Sequence, residues 1–192
     1  MKKEIEITVL VTKDYEALQK QLYNQGFEIK EEYTVNDMYL INSNIDIRNM
    51  KYLDILKNCI LIRDVVGIEK TLLYKYKKYD EEENIIEQGK VKCPIIDTKK
   101  ALEFLKAINY QHLFSINDKC IVYANDKTEL IVQLVNNKYI YIEMESTCEY
   151  INKEYKDIEE LKEDICSYNL PIDTSNFFVK KAEMILREVL TK

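Results

Sequence analysis

Two short stretches of strict alternation frame the chain. Glu4-Ile5-Glu6-Ile7 near the start and Ile142-Glu143-Met144-Glu145 near residue 145 each alternate carboxylates with apolar side chains. Successive side chains of a strand point to opposite faces, so each Glu-x-Glu places two carboxylates on one face, roughly 7 Å apart at about 3.3 Å per residue. The pattern between them predicts further elements. Strands are expected over 3–11, 28–41, 59–65, 70–78, 85–92, 111–124, 128–135 and 138–146. Helical spacing appears over 12–25, where Leu18 and Leu22 lie four apart and Gly26 suits a C-terminal cap, and over 46–57, where Ile47, Met50, Leu53 and Leu56 recur. Asp97 can cap a helix to Ile108, and two more helices are expected near 157–168 and 174–190. Asn125-Asp126 and Asn136-Asn137 sit at strand joints and tolerate the positive φ of tight hairpins.

Eight antiparallel strands with a few helices is the α+β class, and no linker divides residues 1–192, so one domain is expected. The strand faces can be sorted by parity. Ile5, Ile7, Val9, Leu130, Val132, Leu134, Ile140, Ile142 and Met144 form an apolar face that amphipathic helices can cover. The opposite face carries Glu4, Glu6, Asp37, Arg63, Lys75, Lys77, Lys90, Lys92, Asp118, Glu129, Glu143 and Glu145. An open sheet would show this face to water. A closed barrel would turn it inward and leave no edge. Periodicity alone does not choose between the two.

Composition narrows the function classes. Charged residues make up 32% and the formal net charge is −6, which argues against a membrane protein and against general nucleic-acid binding. No apolar run approaches the roughly 20 residues of a membrane-spanning helix, and no signal-like segment follows Met1. Five cysteines, Cys59, Cys93, Cys120, Cys148 and Cys166, include no C-x-x-C pair and read as reduced thiols of a cytoplasmic protein. A homodimer would be unsurprising on general grounds. His112, the sole histidine, reads as a surface or structural residue, and Asp80-Glu81-Glu82-Glu83 as a solvated hairpin loop.

Taken in order, these motifs resemble the CYTH domain of the triphosphate tunnel metalloenzymes, which include class IV adenylate cyclases, thiamine triphosphatases and inorganic triphosphatases. Glu4-Ile5-Glu6 matches the opening E-x-E, Asp37-Met38-Tyr39 the D-x-Y of the second strand, and Arg63 the last arginine of L-R-I-R. Lys75 matches the lysine of L-T-Y-K, and Glu143-Met144-Glu145 the closing E-x-E. Ser175-Asn176-Phe177-Phe178 occupies the place where the family opens its last helix on Ser-Tyr.

The resemblance implies a closed antiparallel eight-stranded β-barrel, a tunnel with amphipathic helices packed outside. It implies Mg²⁺ or Mn²⁺ on Glu4, Glu6, Glu143 and Glu145. Arg63 and Lys75 would bind phosphate, with Lys77, Lys90 and Lys92 as weaker candidates of the same parity, and Asp37 would orient a basic neighbour. Glu4, Glu6, Arg63 and Lys75 would be the catalytic set. The activity implied is hydrolysis of a triphosphate compound or cyclisation of ATP. The chain departs from the pattern at Thr8, Leu61, Asp118, Cys120 and Gln133, where the family carries charge. Those departures leave a non-catalytic anion- or nucleotide-binding barrel as the alternative. Seven acids against five bases on the polar face would repel a triphosphate unless divalent ions came with it, so binding is expected to depend on metal.

Overall fold

The computed structural model describes residues 5–79 and 85–191. Glu4 and the acidic loop at 80–83 lie outside these residues. The strands are β1 (Glu6–Leu10), β2 (Glu28–Asn42), β3 (Cys59–Val65), β4 (Glu69–Tyr79), β5 (Ile85–Pro94), β6 (Tyr110–Ala124), β7 (Glu129–Val135) and β8 (Tyr139–Glu145). The helices are α1 (Tyr15–Asn24), α2 (Tyr52–Lys57), α3 (Thr98–Ala107), α4 (Ile158–Ser167) and α5 (Lys181–Leu190). The protein is α+β, as expected, with eight antiparallel strands in the order β1-β8-β7-β6-β2-β3-β4-β5. Among the described residues none of the helices is long and apolar enough to cross a membrane.

That order has two ends, so the sheet is not strictly closed. The open edge of β1 is satisfied locally instead. The Thr8 N–H donates to the Phe177 carbonyl at 2.9 Å, the Val179 N–H to the Thr8 carbonyl at 3.0 Å, and the Asp173 N–H to the Leu10 carbonyl at 2.8 Å. Unpaired backbone groups on a half-buried edge are costly, and the 171–179 segment meets that need. This corrects the expected helix over 174–190: residues 174–180 are non-helical, with a turn at Thr174-Ser175, and α5 begins at Lys181. The helix expected over 46–57 likewise shortens to Tyr52–Lys57. Asp46 turns its carboxylate onto the Arg48 N–H at 3.2 Å, an alternative to helical hydrogen bonding.

Of the other local readings, two hold in detail and one does not. The α1 helix ends in a Schellman motif: Gly26 has φ 77°, its N–H reaches the Tyr23 carbonyl, and the Phe27 N–H reaches that of Leu22. Asn136 and Asn137 both take positive φ, 50° and 54°, between β7 and β8. Asn125-Asp126 does not. There the Asn125 carboxamide oxygen accepts the N–H groups of Lys127 and Thr128, which closes the turn without positive φ.

Packing divides the chain into two compact units, one of Met1–Thr34 with Asp118–Lys180, the other of Val35–Asn117 with Lys181–Lys192. The first buries Ile7, Val9, Val132, Ile142 and Met144 with Leu18 and Leu22 of α1 and Leu161 and Ile165 of α4. This is the apolar face that alternation predicts. The second packs Leu40 and Ile62 against Ala101 and Leu105 of α3. Each fully buried side chain of this kind is worth about 1.5–3 kcal/mol. Thus α1 and α4 cover the apolar face in the first unit, and α3 covers the Leu40 and Ile62 face in the second.

Candidate functional site

In the second unit the ladders line up three polar side chains in one row. Asp37 of β2 pairs with Arg63 of β3, and Arg63 with Thr71 of β4. Residues directly opposite each other share a face. Arg63 Nε donates to Asp37 Oδ1 at 2.7 Å and Nη2 to Oδ2 at 2.6 Å, a two-bond fork. Asp37 keeps 8% of its side-chain surface exposed and Arg63 24%, so the arginine is the member that reaches outward. Tyr39, Leu61 and Leu73 form the next row and are buried.

Lys75 lies beyond Leu73 on the same face, opposite Lys90 of β5. It is half-buried, and among the described residues it makes no ion pair. Its ammonium is pulled from the ordinary 10.5 down to about 8, first by burial and then by the positive charge of Arg63, with Lys90 and Lys181 adding to it and Asp37 opposing. Lys92 is exposed and stands 3.7 Å from Glu69. Lys77 pairs with Gln88 in the ladder and so shares the parity of Lys75. Arg63, Lys75 and Lys90 therefore act on one another as sequence parity places them. Lys181 and Thr71 were not singled out by the motifs. The signal for Thr71 was the same period of two that selects Lys75. For Lys181 it was a basic pair opening the last helix.

The acids stand in the first unit. Glu6 of β1 is opposite Glu145 of β8, and Thr8 is opposite Glu143. Like charges directly opposite on a sheet repel. Glu143 and Glu145 line a cavity of about 120 Å³ with Glu31, Tyr33, Glu129 and Tyr150. Glu129 is occupied there by the N–H groups of Glu149 and Tyr150, and the Tyr150 hydroxyl donates to Glu31 at 2.7 Å. Burial, then contact with the Cys120 thiol, raises the Tyr33 phenol far above its usual range, with Glu143 and Asp118 adding to the effect, so it stays protonated. Among the described residues no three His, Cys, Asp or Glu side chains are gathered to hold a metal ion. Glu4, the fourth acid of the expected set, lies outside the described residues.

The positions that depart from the family pattern are buried and uncharged at Thr8, Leu61, Cys120 and Gln133, and buried and acidic at Asp118. Lys119 points away to Glu32, at 2.8 Å. His112 is exposed and lies 2.9 Å from the Ser115 hydroxyl. All five cysteines are free.

No family model and no curated protein matches the chain. Solved structures do. A protein from Pyrococcus horikoshii is 17% identical, with a TM-score of 0.63 over 97% of this chain and 99% of that one. A conserved hypothetical protein from Pyrococcus furiosus is 19% identical, with a TM-score of 0.60 over 91% and 94%. A candidate adenylate cyclase from Vibrio parahaemolyticus is 10% identical, with a TM-score of 0.58 over 98% of each chain. At such identities the likeness is one of fold, and the chain shares its fold with these three proteins.

Proposed function

We propose that the polar face of the second unit binds a phosphate-bearing anion, and that the chain is a divergent CYTH-type protein whose ligand is a triphosphate or nucleotide. The observation that carries this is Lys75. A half-buried ammonium without an ion pair among the described residues, beside Arg63, Lys90 and Lys181, is unfavourable for the fold by itself. It becomes favourable when an anion arrives. Arg63 adds a planar guanidinium already oriented by Asp37, the geometry that suits phosphate oxygens. The fold shared with a candidate adenylate cyclase supports a nucleotide as the anion.

Mg²⁺ or Mn²⁺ enters this reading as a companion of the ligand. Mg²⁺ is commonly held by one or two carboxylates plus substrate phosphates. Within the first unit, Glu6 and Glu145, opposed in the β1–β8 ladder, are the carboxylates proposed for a divalent ion, a proposal separate from the anion face of the second unit. Of the two reactions open to such a protein, hydrolysis needs fewer placed groups than cyclisation of ATP, because water is the attacking group.

Thermal melting with tripolyphosphate, ATP and thiamine triphosphate, each with Mg²⁺, Mn²⁺ or EDTA, tests the reading. Ligand at a hundredfold excess over its dissociation constant should stabilise the fold by about 2.7 kcal/mol. The shift should vanish in Lys75→Met and shrink in EDTA. No shift with any of the three anions overturns it, and an equal shift in EDTA removes the metal. A second reading, binding without turnover, is favoured by the uncharged, buried Thr8, Leu61, Cys120 and Gln133. It predicts the same thermal shift with no release of phosphate and no cyclic nucleotide.

A further inference from the structure

Thr71 is 2% exposed, and its hydroxyl oxygen is buried without a hydrogen-bond partner. A buried polar group normally finds one, and each exception needs a cause. The cause here begins with the ladder. Thr71 lies between Arg63 of β3 and Pro94 of β5. Proline offers no side-chain acceptor or donor. The Arg63 guanidinium donates two bonds to Asp37, across the opposite ladder. Asp37, Arg63 and Thr71 thus form one row in which the arginine is satisfied on the β2 side and the threonine is not.

We infer that the Thr71 hydroxyl is a further ligand-binding group of this face, one that hydrogen-bonds an oxygen of an oxyanion seated on Arg63. The inference rests on the anion-binding reading above and adds to it a neutral group. A hydroxyl can donate to a phosphate oxygen or accept from a protonated one, so it adapts to the ligand where a second lysine could not. It also explains why a threonine stands at a position where valine would fill the same space on a strand without leaving a polar atom unpaired. The unliganded fold keeps a group that bound anion satisfies, as it keeps the uncompensated charge of Lys75.

The test uses Thr71→Val, which keeps shape and removes the hydroxyl, with Thr71→Ala as a second hydroxyl-free variant and Thr71→Ser as the conservative one. Tripolyphosphate binding is measured by calorimetry, and the unliganded melting temperature by circular dichroism. Thr71→Val should melt higher than the wild type when unliganded and bind tripolyphosphate roughly tenfold more weakly. Thr71→Ser should bind within about threefold of the wild type. If Thr71→Val and Thr71→Ala bind as tightly as the wild type, the hydroxyl has no ligand and the inference fails while anion binding stands. If the wild type itself binds neither tripolyphosphate nor ATP, both fail together.

Discussion

Asp164 in the first unit and Lys75 in the second are both charged groups set well into their unit, and they are treated in opposite ways. Asp164 accepts from the Thr128 hydroxyl at 2.7 Å, from the Lys153 ammonium at 2.7 Å and from the Tyr155 hydroxyl. Burial alone would raise its carboxyl, but these donors hold it below the ordinary carboxylate value. Lys75 has burial and like charges working together and no ion pair among the described residues. The difference teaches how to separate a structural charge from one awaiting a ligand. The first sits on α4 and is surrounded by donors from other elements, here the β6–β7 turn and the segment after β8. The second is left uncompensated at a cost to stability, which proteins tolerate where binding recovers it.

The largest effect should come from breaking the satisfied cluster. Asp164→Ala leaves the Lys153 ammonium and two hydroxyls short of an acceptor and should cost about 3 kcal/mol, read from the urea midpoint at unchanged slope. A loss below about 1 kcal/mol would mean that Asp164 is not the node it looks like. Next is Lys75→Met, which keeps length and removes charge. It should raise the stability of the unliganded protein by about 1 kcal/mol while abolishing the shift with tripolyphosphate. A destabilised Lys75→Met would show that the lysine is compensated after all, and the contrast with Asp164 would disappear.

The two groups should also separate along the pH axis. The ammonium of Lys75 is lowered to about 8 in the fold against 10.5 in an open chain. Between those values the unfolded chain holds more protons, so stability rises with pH over that window, and below about 8 the penalty is fully present. Anion affinity moves the other way, falling as pH climbs through about 8 and the ammonium is lost. Asp164 is depressed below 3.8, so its contribution is present above that value and is lost as pH falls further. Urea denaturation from pH 3 to 10.5 should show an acid limb reduced in Asp164→Asn and an alkaline rise reduced in Lys75→Met. An alkaline rise that survives undiminished in Lys75→Met would assign it to another group.

Much of this was legible in the alternation. Strand parity places Asp37, Arg63, Lys75 and Lys90 on one face because the side-chain period is two whatever the tertiary context. The register that puts Arg63 beside Thr71 could not be read, since it depends on which strands pair and how their ends align. Thr71 carries no charge and matches no motif; parity puts it on the face of Lys75, and its burial without a partner singles it out there. The non-helical course of 171–179 was hidden for a related reason. Phe177 and Val179 have helix-compatible neighbours, but the backbone of β1 needs partners, and that demand is long-range.

The smallest expected effect is the sharpest check on the satisfied cluster. Tyr155→Phe removes one of three donors to Asp164 and leaves Lys153 and Thr128 in place. The ring itself stays buried against the core of the first unit, so no cavity opens. The net loss should be that of one hydrogen bond to a charged group that keeps its other partners, about 1 kcal/mol. Combined with Lys153→Met, the loss should exceed the sum of the two single changes, because the carboxylate then keeps only a hydroxyl partner in a half-buried place. Strict additivity in that double-mutant cycle would mean that the donors act independently, and that Asp164 is no better compensated by its neighbours than Lys75 is by its own.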